Sequence, residues 1–169
     1  FRRVLFRFKN LLFSSSSSLL LLLLILTSSC VKQKNYSEIP TLTFDSYATG
    51  DTLDQVLNQV NKYVSIKFSF TDGDGDLGLP QDSTQAPYDY NVFATLYLNR
   101  TGTYEVSSQE KSRITDLSSY ATKNGLEGTI EVTYIPYLPK GSKIKYELYI
   151  LDQALHRSNT ISSPEIVLP

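Results

Sequence analysis

The chain has 169 residues, 41% of them hydrophobic and 12% aromatic, with 16 basic and 17 acidic side chains. Its single cysteine excludes an internal disulfide, and one cysteine with one histidine cannot make a zinc site of the Cys/His type. Beyond residue 29 the chain carries an excess of acid and no basic run, which argues against nucleic-acid binding and against a basic amphipathic helix that lies on a membrane.

The first ten residues carry Arg2, Arg3, Arg7 and Lys9 and no acid. The stretch Leu11 to Leu26 is apolar apart from Ser14 to Ser18, and Thr27, Ser28, Ser29 and Cys30 follow it. A basic start, a short apolar segment and small residues before a cut site are the parts of a secretory signal. A permanent spanning helix needs about 20 mostly apolar residues, and this stretch has 16 with five serines among them. Cleavage is therefore the expected reading over retention. Because the chain opens on Phe1 and contains no Met, the leader is expected to begin further upstream.

Cys30 stands directly after this leader, an arrangement that resembles a lipoprotein lipobox, whose cysteine takes a diacylglycerol and becomes the new N-terminus. Thr27 stands where Leu, Val or Ile is usual, a variation that Bacteroidetes-type signals tolerate. More than one acyl chain anchors firmly, because each buried CH₂ contributes about 0.8 kcal/mol. The expected organisation is a signal peptide over 1–29, a lipidated Cys30 with a polar tether over 30–40, and one domain over 41–169. Four of the 16 basic residues belong to the leader, so the remainder holds 12 against 17 acidic ones, a formal charge of −5.

Within the domain, Asp51 to Lys62 places Leu53, Val56, Leu57 and Val60 at helical spacing with Asp51 available as a cap. A helix of two or three turns and a loop with a bent strand both fit so short a segment. The remaining chain alternates with period two. Val64, Ile66, Phe68 and Phe70 share one face, as do Val92, Ala94, Leu96 and Leu98; Ile130, Val132 and Tyr134; and Ile144, Tyr146, Leu148 and Ile150. Turns are expected at Asn99 to Gly102 and between Asp152 and Asn159. The pattern predicts an all-β, antiparallel, immunoglobulin-like β-sandwich of about seven strands, near 41–47, 62–70, 90–98, 103–107, 128–135, 143–151 and 159–167.

The sharpest motif is Asp72-Gly73-Asp74-Gly75-Asp76 at the end of a predicted strand. Three carboxylates spaced by flexible residues can curl so that their oxygens converge, which suits calcium and its 6–8 oxygen ligands. The spacing is not that of an EF-hand: counted from Asp72, the sixth position is Leu77 and the twelfth is Ser83. Further ligands are expected from Asp82 or from Asp152 at the end of another predicted strand. A solvated acidic turn that needs no metal accounts for the same residues.

FSFTDGDGDLGL, APYDYNVFATLY, GTIEV and IKYELYILDQALHRSNTISSPEIVL together resemble a group of uncharacterised Bacteroidetes lipoproteins, over about residues 38–169. The closing strand, turn and strand are also similar to bacterial immunoglobulin-like and fibronectin-III-like domains, with Leu155-His156-Arg157 at the tip in place of a glycine turn. The resemblance implies a sandwich on the cell envelope, as an outer-membrane lipoprotein whose facing side stays open. It implies no activity.

Nothing in the chain matches a nucleophile elbow, a metalloprotease motif or a phosphate-binding loop, and the lone His156 falls in a turn. The expected function is non-catalytic: a lipid-anchored module that binds another envelope protein or scaffolds an assembly. Two alternatives stand beside it. One is a glycan binder using Tyr88, Tyr90, Tyr134 and Tyr137 as platforms. The other is a hydrolase with a carboxylate pair that carries no local signature.

Overall fold

A computed structural model describes residues 35–169, apart from Leu57. The leader and Cys30 lie outside the described residues. These form eight strands, one short 3-10 turn at Ser118–Tyr120, and no α-helix. In chain order the strands are β1 (Thr41–Asp54), β2 (Gln59–Asp72), β3 (Val92–Arg100), β4 (Thr103–Ser112), β5 (Leu126–Tyr134), β6 (Lys143–Ile150), β7 (Ile161–Ser162) and β8 (Ile166–Val167). One sheet has the order β1-β2-β5. The other has the order β4-β3-β6-β7, with β8 also pairing β6. All of the strand pairings are antiparallel. With β7 and β8 counted as one interrupted strand, this is the seven-strand immunoglobulin-like sandwich with its fourth strand moved to the edge of the second sheet.

The period-two residues build the core between the sheets. From β2 come Val64, Ile66, Phe68 and Phe70, from β3 Val92, Ala94 and Leu96, and from β6 Ile144, Tyr146, Leu148 and Ile150, all buried. Burying these alternating faces against each other is the main force holding the two sheets together. Tyr134 of β5 stacks on Tyr146 of β6 at 4.9 Å between ring centroids, and so ties one sheet to the other. The β3–β4 connection is a two-residue hairpin in which Thr101 and Gly102 both have positive φ, as the right-handed twist of paired strands prefers. Pro164, which has no N–H to donate, separates β7 from β8, and Ser163 bridges the gap by hydrogen bonds to the Tyr146 backbone.

Residues 51–62 do not take the helical option. β1 runs on to Asp54 and β2 starts at Gln59, so Leu53 pairs across with Val60 and Asp51 with Lys62. Asp51 forms an ion pair with Lys62 rather than capping a helix. The Asp54 carboxylate accepts the Val56 N–H at 2.9 Å, and Asn58 has a φ of 49°, which together turn the chain. Ladder pairing with an adjacent β-rich partner outweighs a helical pattern this short. β5 reaches only as far as Val64 on β2, so the hairpin tip extends past the sheet. Leu53, Val56 and Val60 are exposed there.

Candidate functional site: an acidic cluster at one end of the sandwich

The inward alternation of β2 does not stop at Phe70. The next position on the same face is Asp72, which is 0% exposed. On β6 the same arithmetic carries Ile150 to Asp152, also 0% exposed. Each sheet thus delivers one carboxylate into the interior at the end of a central strand. A buried carboxylate needs a counter-charge, hydrogen bonds or a proton, because desolvating its charge is costly.

Asp152 is satisfied within its own turn. One of its oxygens accepts the His156 backbone N–H at 2.7 Å, and the other lies 3.0 Å from His156 Nδ1. The Gln153 N–H donates to the Asp76 carbonyl at 3.3 Å, which joins this turn to the acidic loop.

Asp72 is satisfied only in part. Its Oδ2 accepts the Leu77 N–H at 3.1 Å, which closes the loop 72–77, while its Oδ1 is buried without a hydrogen-bond partner. Asp76 Oδ1 is in the same condition. One carboxylate oxygen from each of Asp72, Asp74 and Asp76 lies within 4.8 Å of the others. Burial, followed by the charges of Asp74 and Asp76 and then of Asp152, pushes the Asp72 carboxyl up to about 7. Burial and then Asp152 and Asp74 raise Asp76 as well. These are the signs of an arrangement that lacks positive charge.

Of the five aspartates singled out from the sequence, three meet at this point. Asp152 is an electrostatic neighbour whose oxygens are engaged by His156. Asp82 is exposed in the following loop, where it borders a shallow groove with Ser83, Thr84, Gln85 and Tyr88. That loop is pinned from beneath by Arg113, whose guanidinium donates to the carbonyls of Leu79, Pro80, Ser83, Tyr88 and Asp89. Arg113 was not legible as a hub, because its partners are backbone atoms more than 20 residues away.

Two further neighbours of the acidic loop also escaped the sequence. The Gly73 N–H donates to the Ser37 carbonyl at 2.7 Å, and a Cβ on Gly73 would lie 2.5 Å from the Tyr36 carbonyl oxygen. Tyr36 itself hydrogen bonds to the Glu127 carboxylate on β5. Part of the segment expected as a free tether is therefore laid against the domain. The turn 121–125 packs on the other side: a Cβ on Gly75 would meet the Ala121 methyl, and one on Gly125 would run into the Asp72 carbonyl.

The tyrosines proposed as sugar platforms are not gathered. Tyr134 is only 3% exposed, because it completes the inward face of β5, and so it cannot present a ring to a ligand. Tyr137 lines a groove with Ile135, Pro136 and Leu138, whereas Tyr88 borders the separate groove at Asp82. Family models, curated proteins and solved structures return no match to this chain.

Proposed function

We propose that the protein is a lipid-anchored component of the bacterial cell envelope, held through Cys30, whose non-catalytic sandwich binds another envelope protein and is ordered at one end by calcium. The observation that carries the calcium reading is Asp72: a fully buried carboxylate with one oxygen unpartnered, facing two further carboxylates within 4.8 Å. A divalent cation supplies the missing positive charge and satisfies acceptor oxygens that no donor reaches. Calcium fits better than a softer metal because the donor set is oxygen alone. Its role is to stiffen the loop, since the three carboxylates come from one loop and converge within 4.8 Å of one another.

The protein-binding reading is supported by the β1–β2 hairpin. Its tip stands beyond β5 with Leu53 55%, Val56 92% and Val60 59% exposed, a concentration of apolar side chains suited to burial in a partner. The leader and the lone cysteine support the anchor.

Three measurements test the parts separately. Mass spectrometry of the membrane-extracted protein should show a chain that begins at an acylated Cys30; an unmodified thiol on an uncut chain refutes the anchor. Calcium should raise the melting temperature of the full chain, and no shift at millimolar calcium refutes the cation. Cross-linking in membranes should capture a specific partner that the double variant Leu53→Ser, Val56→Ser loses; equal capture by both chains refutes the hairpin as the binding element.

A further inference from the structure

Among the described residues five buried side-chain oxygens have no hydrogen-bond partner. Two are the hydroxyls of the stacked Tyr134 and Tyr146 in the core. The other three are carbonyl or carboxylate oxygens: Asp72 Oδ1, Asp76 Oδ1 and Asn124 Oδ1. Such groups are rarely buried without a partner, and each one asks for an explanation.

Asn124 belongs to a tight turn closed by reciprocal backbone hydrogen bonds between Thr122 and Gly125, both at 2.9 Å. That turn leans on the acidic loop from both of its ends. Ala121 packs against Gly75, and Gly125, at a φ of +91°, lies so close to Asp72 and Gly73 that a side chain there would strike the Asp72 carbonyl. Asn124 lies between Ala121 and Gly125 in the chain, in the segment bounded by these two contacts. Its backbone N–H is used by the Thr122 hydroxyl at 3.2 Å, but its side-chain oxygen accepts nothing.

We infer that Asn124 is a fourth protein ligand of the cation held by Asp72, Asp74 and Asp76, so that the ion cross-links the loop after β2 to the turn before β5. The inference rests on the calcium reading above and adds a ligand from a second chain segment. A neutral amide oxygen suits this role: calcium accepts side-chain amide carbonyls beside carboxylates, and three aspartates already exceed the charge of the ion. Four protein oxygens leave the remaining positions to water or backbone carbonyls. The arrangement also explains why the turn is so short and why Gly125 is a glycine: a side chain there would push the turn, and Asn124 with it, away from Asp72.

Calcium titration calorimetry on the full chain tests this with Asn124→Ala and Asn124→Asp, using Asp76→Asn as the reference loss. Asn124→Ala should weaken calcium binding at least about tenfold, as the loss of a group that holds or supports a metal commonly does. Asn124→Asp keeps an oxygen in place and should bind more tightly than Asn124→Ala. The melting temperature of cation-free Asn124→Ala should match the parent, which separates loss of a ligand from loss of the fold; if Asn124→Ala does not fold, the comparison of Asn124→Asp with Asn124→Ser takes its place. Parent binding with Asn124→Ala within twofold of it overturns the inference and leaves the aspartate site standing. No calcium binding by the parent overturns both.

Discussion

In cation-free protein, raising the pH should destabilise the sandwich through Asp72. This carboxyl is pushed up to about 7, by burial first and by Asp74 and Asp76 after it, against about 4 in an unfolded chain. Between those values the folded state keeps a proton that the unfolded state has released. Stability contributed by this group is therefore full below about pH 4 and is lost as the pH rises through 7. Three pH units at about 1.36 kcal/mol each set a ceiling near 4 kcal/mol, or on the order of 10 °C in melting temperature for a domain of this size. Other carboxylates titrate in the same range, so the informative quantity is the difference between the parent and Asp72→Asn, which keeps the shape and cannot ionise. Thermal unfolding of both chains in metal-free buffer from pH 4.5 to 8 should show the parent falling progressively below the variant. Calcium should close the gap for the parent alone, since the ion stabilises the charged form. Parallel curves across the whole pH range would refute the claim that Asp72 is a buried carboxylate without a counter-charge.

Phe68→Ala, at a core position with no exposed surface, should cost about 3–5 kcal/mol in urea unfolding; a near-neutral result would mean that the β2 faces are reversed. Gly73→Ala should displace Tyr36 and Ser37, whose backbone leaves no room for a methyl. Hydrogen exchange would then show faster amide exchange at position 73 and in residues 36–39, with β2 and β6 still protected. Arg113→Ala should release the 79–91 loop from its five carbonyl contacts. Limited proteolysis should then cut near Asp82 to Tyr88 in the variant and leave the parent intact.

The strands were legible because one face of each is buried and the other is not. Val64, Ile66, Phe68 and Phe70 repeat with the period of a pleated strand, and no competing pattern overlies them. The same rule, carried two residues further, places Asp72 and its neighbour Asp152 inside, and the Asp-Gly spacing of 72–76 supplies the other two carboxylates of the site. The hairpin at Asn99 to Gly102 was legible for a local reason as well, since Gly102 readily takes the positive φ that such turns require, whereas the φ of 54° at β-branched Thr101 has no sequence signal. Leu53, Val56 and Val60 left a helix and a bent strand both open, because the two spacings cannot be told apart over a few residues when the deciding contact is a ladder to a neighbour. Tyr134 alternates with Ile130 and Val132, which points it inward, and this burial outweighs its chemistry as a sugar platform. Asn124, Arg113 and the Tyr36–Ser37 contact had no sequence signal, because each acts through partners brought close only by the folded topology.

On the function proposed above, Asp72, Asp74 and Asp76 hold a calcium ion. A crystal structure of the protein grown with calcium, with anomalous scattering used to identify the ion, tests it most directly. A calcium peak is expected about 2.3–2.6 Å from an oxygen of each aspartate, with Asp72 Oδ1 among them. Water at that position in calcium-saturated crystals, with the three carboxylates turned apart, would contradict it.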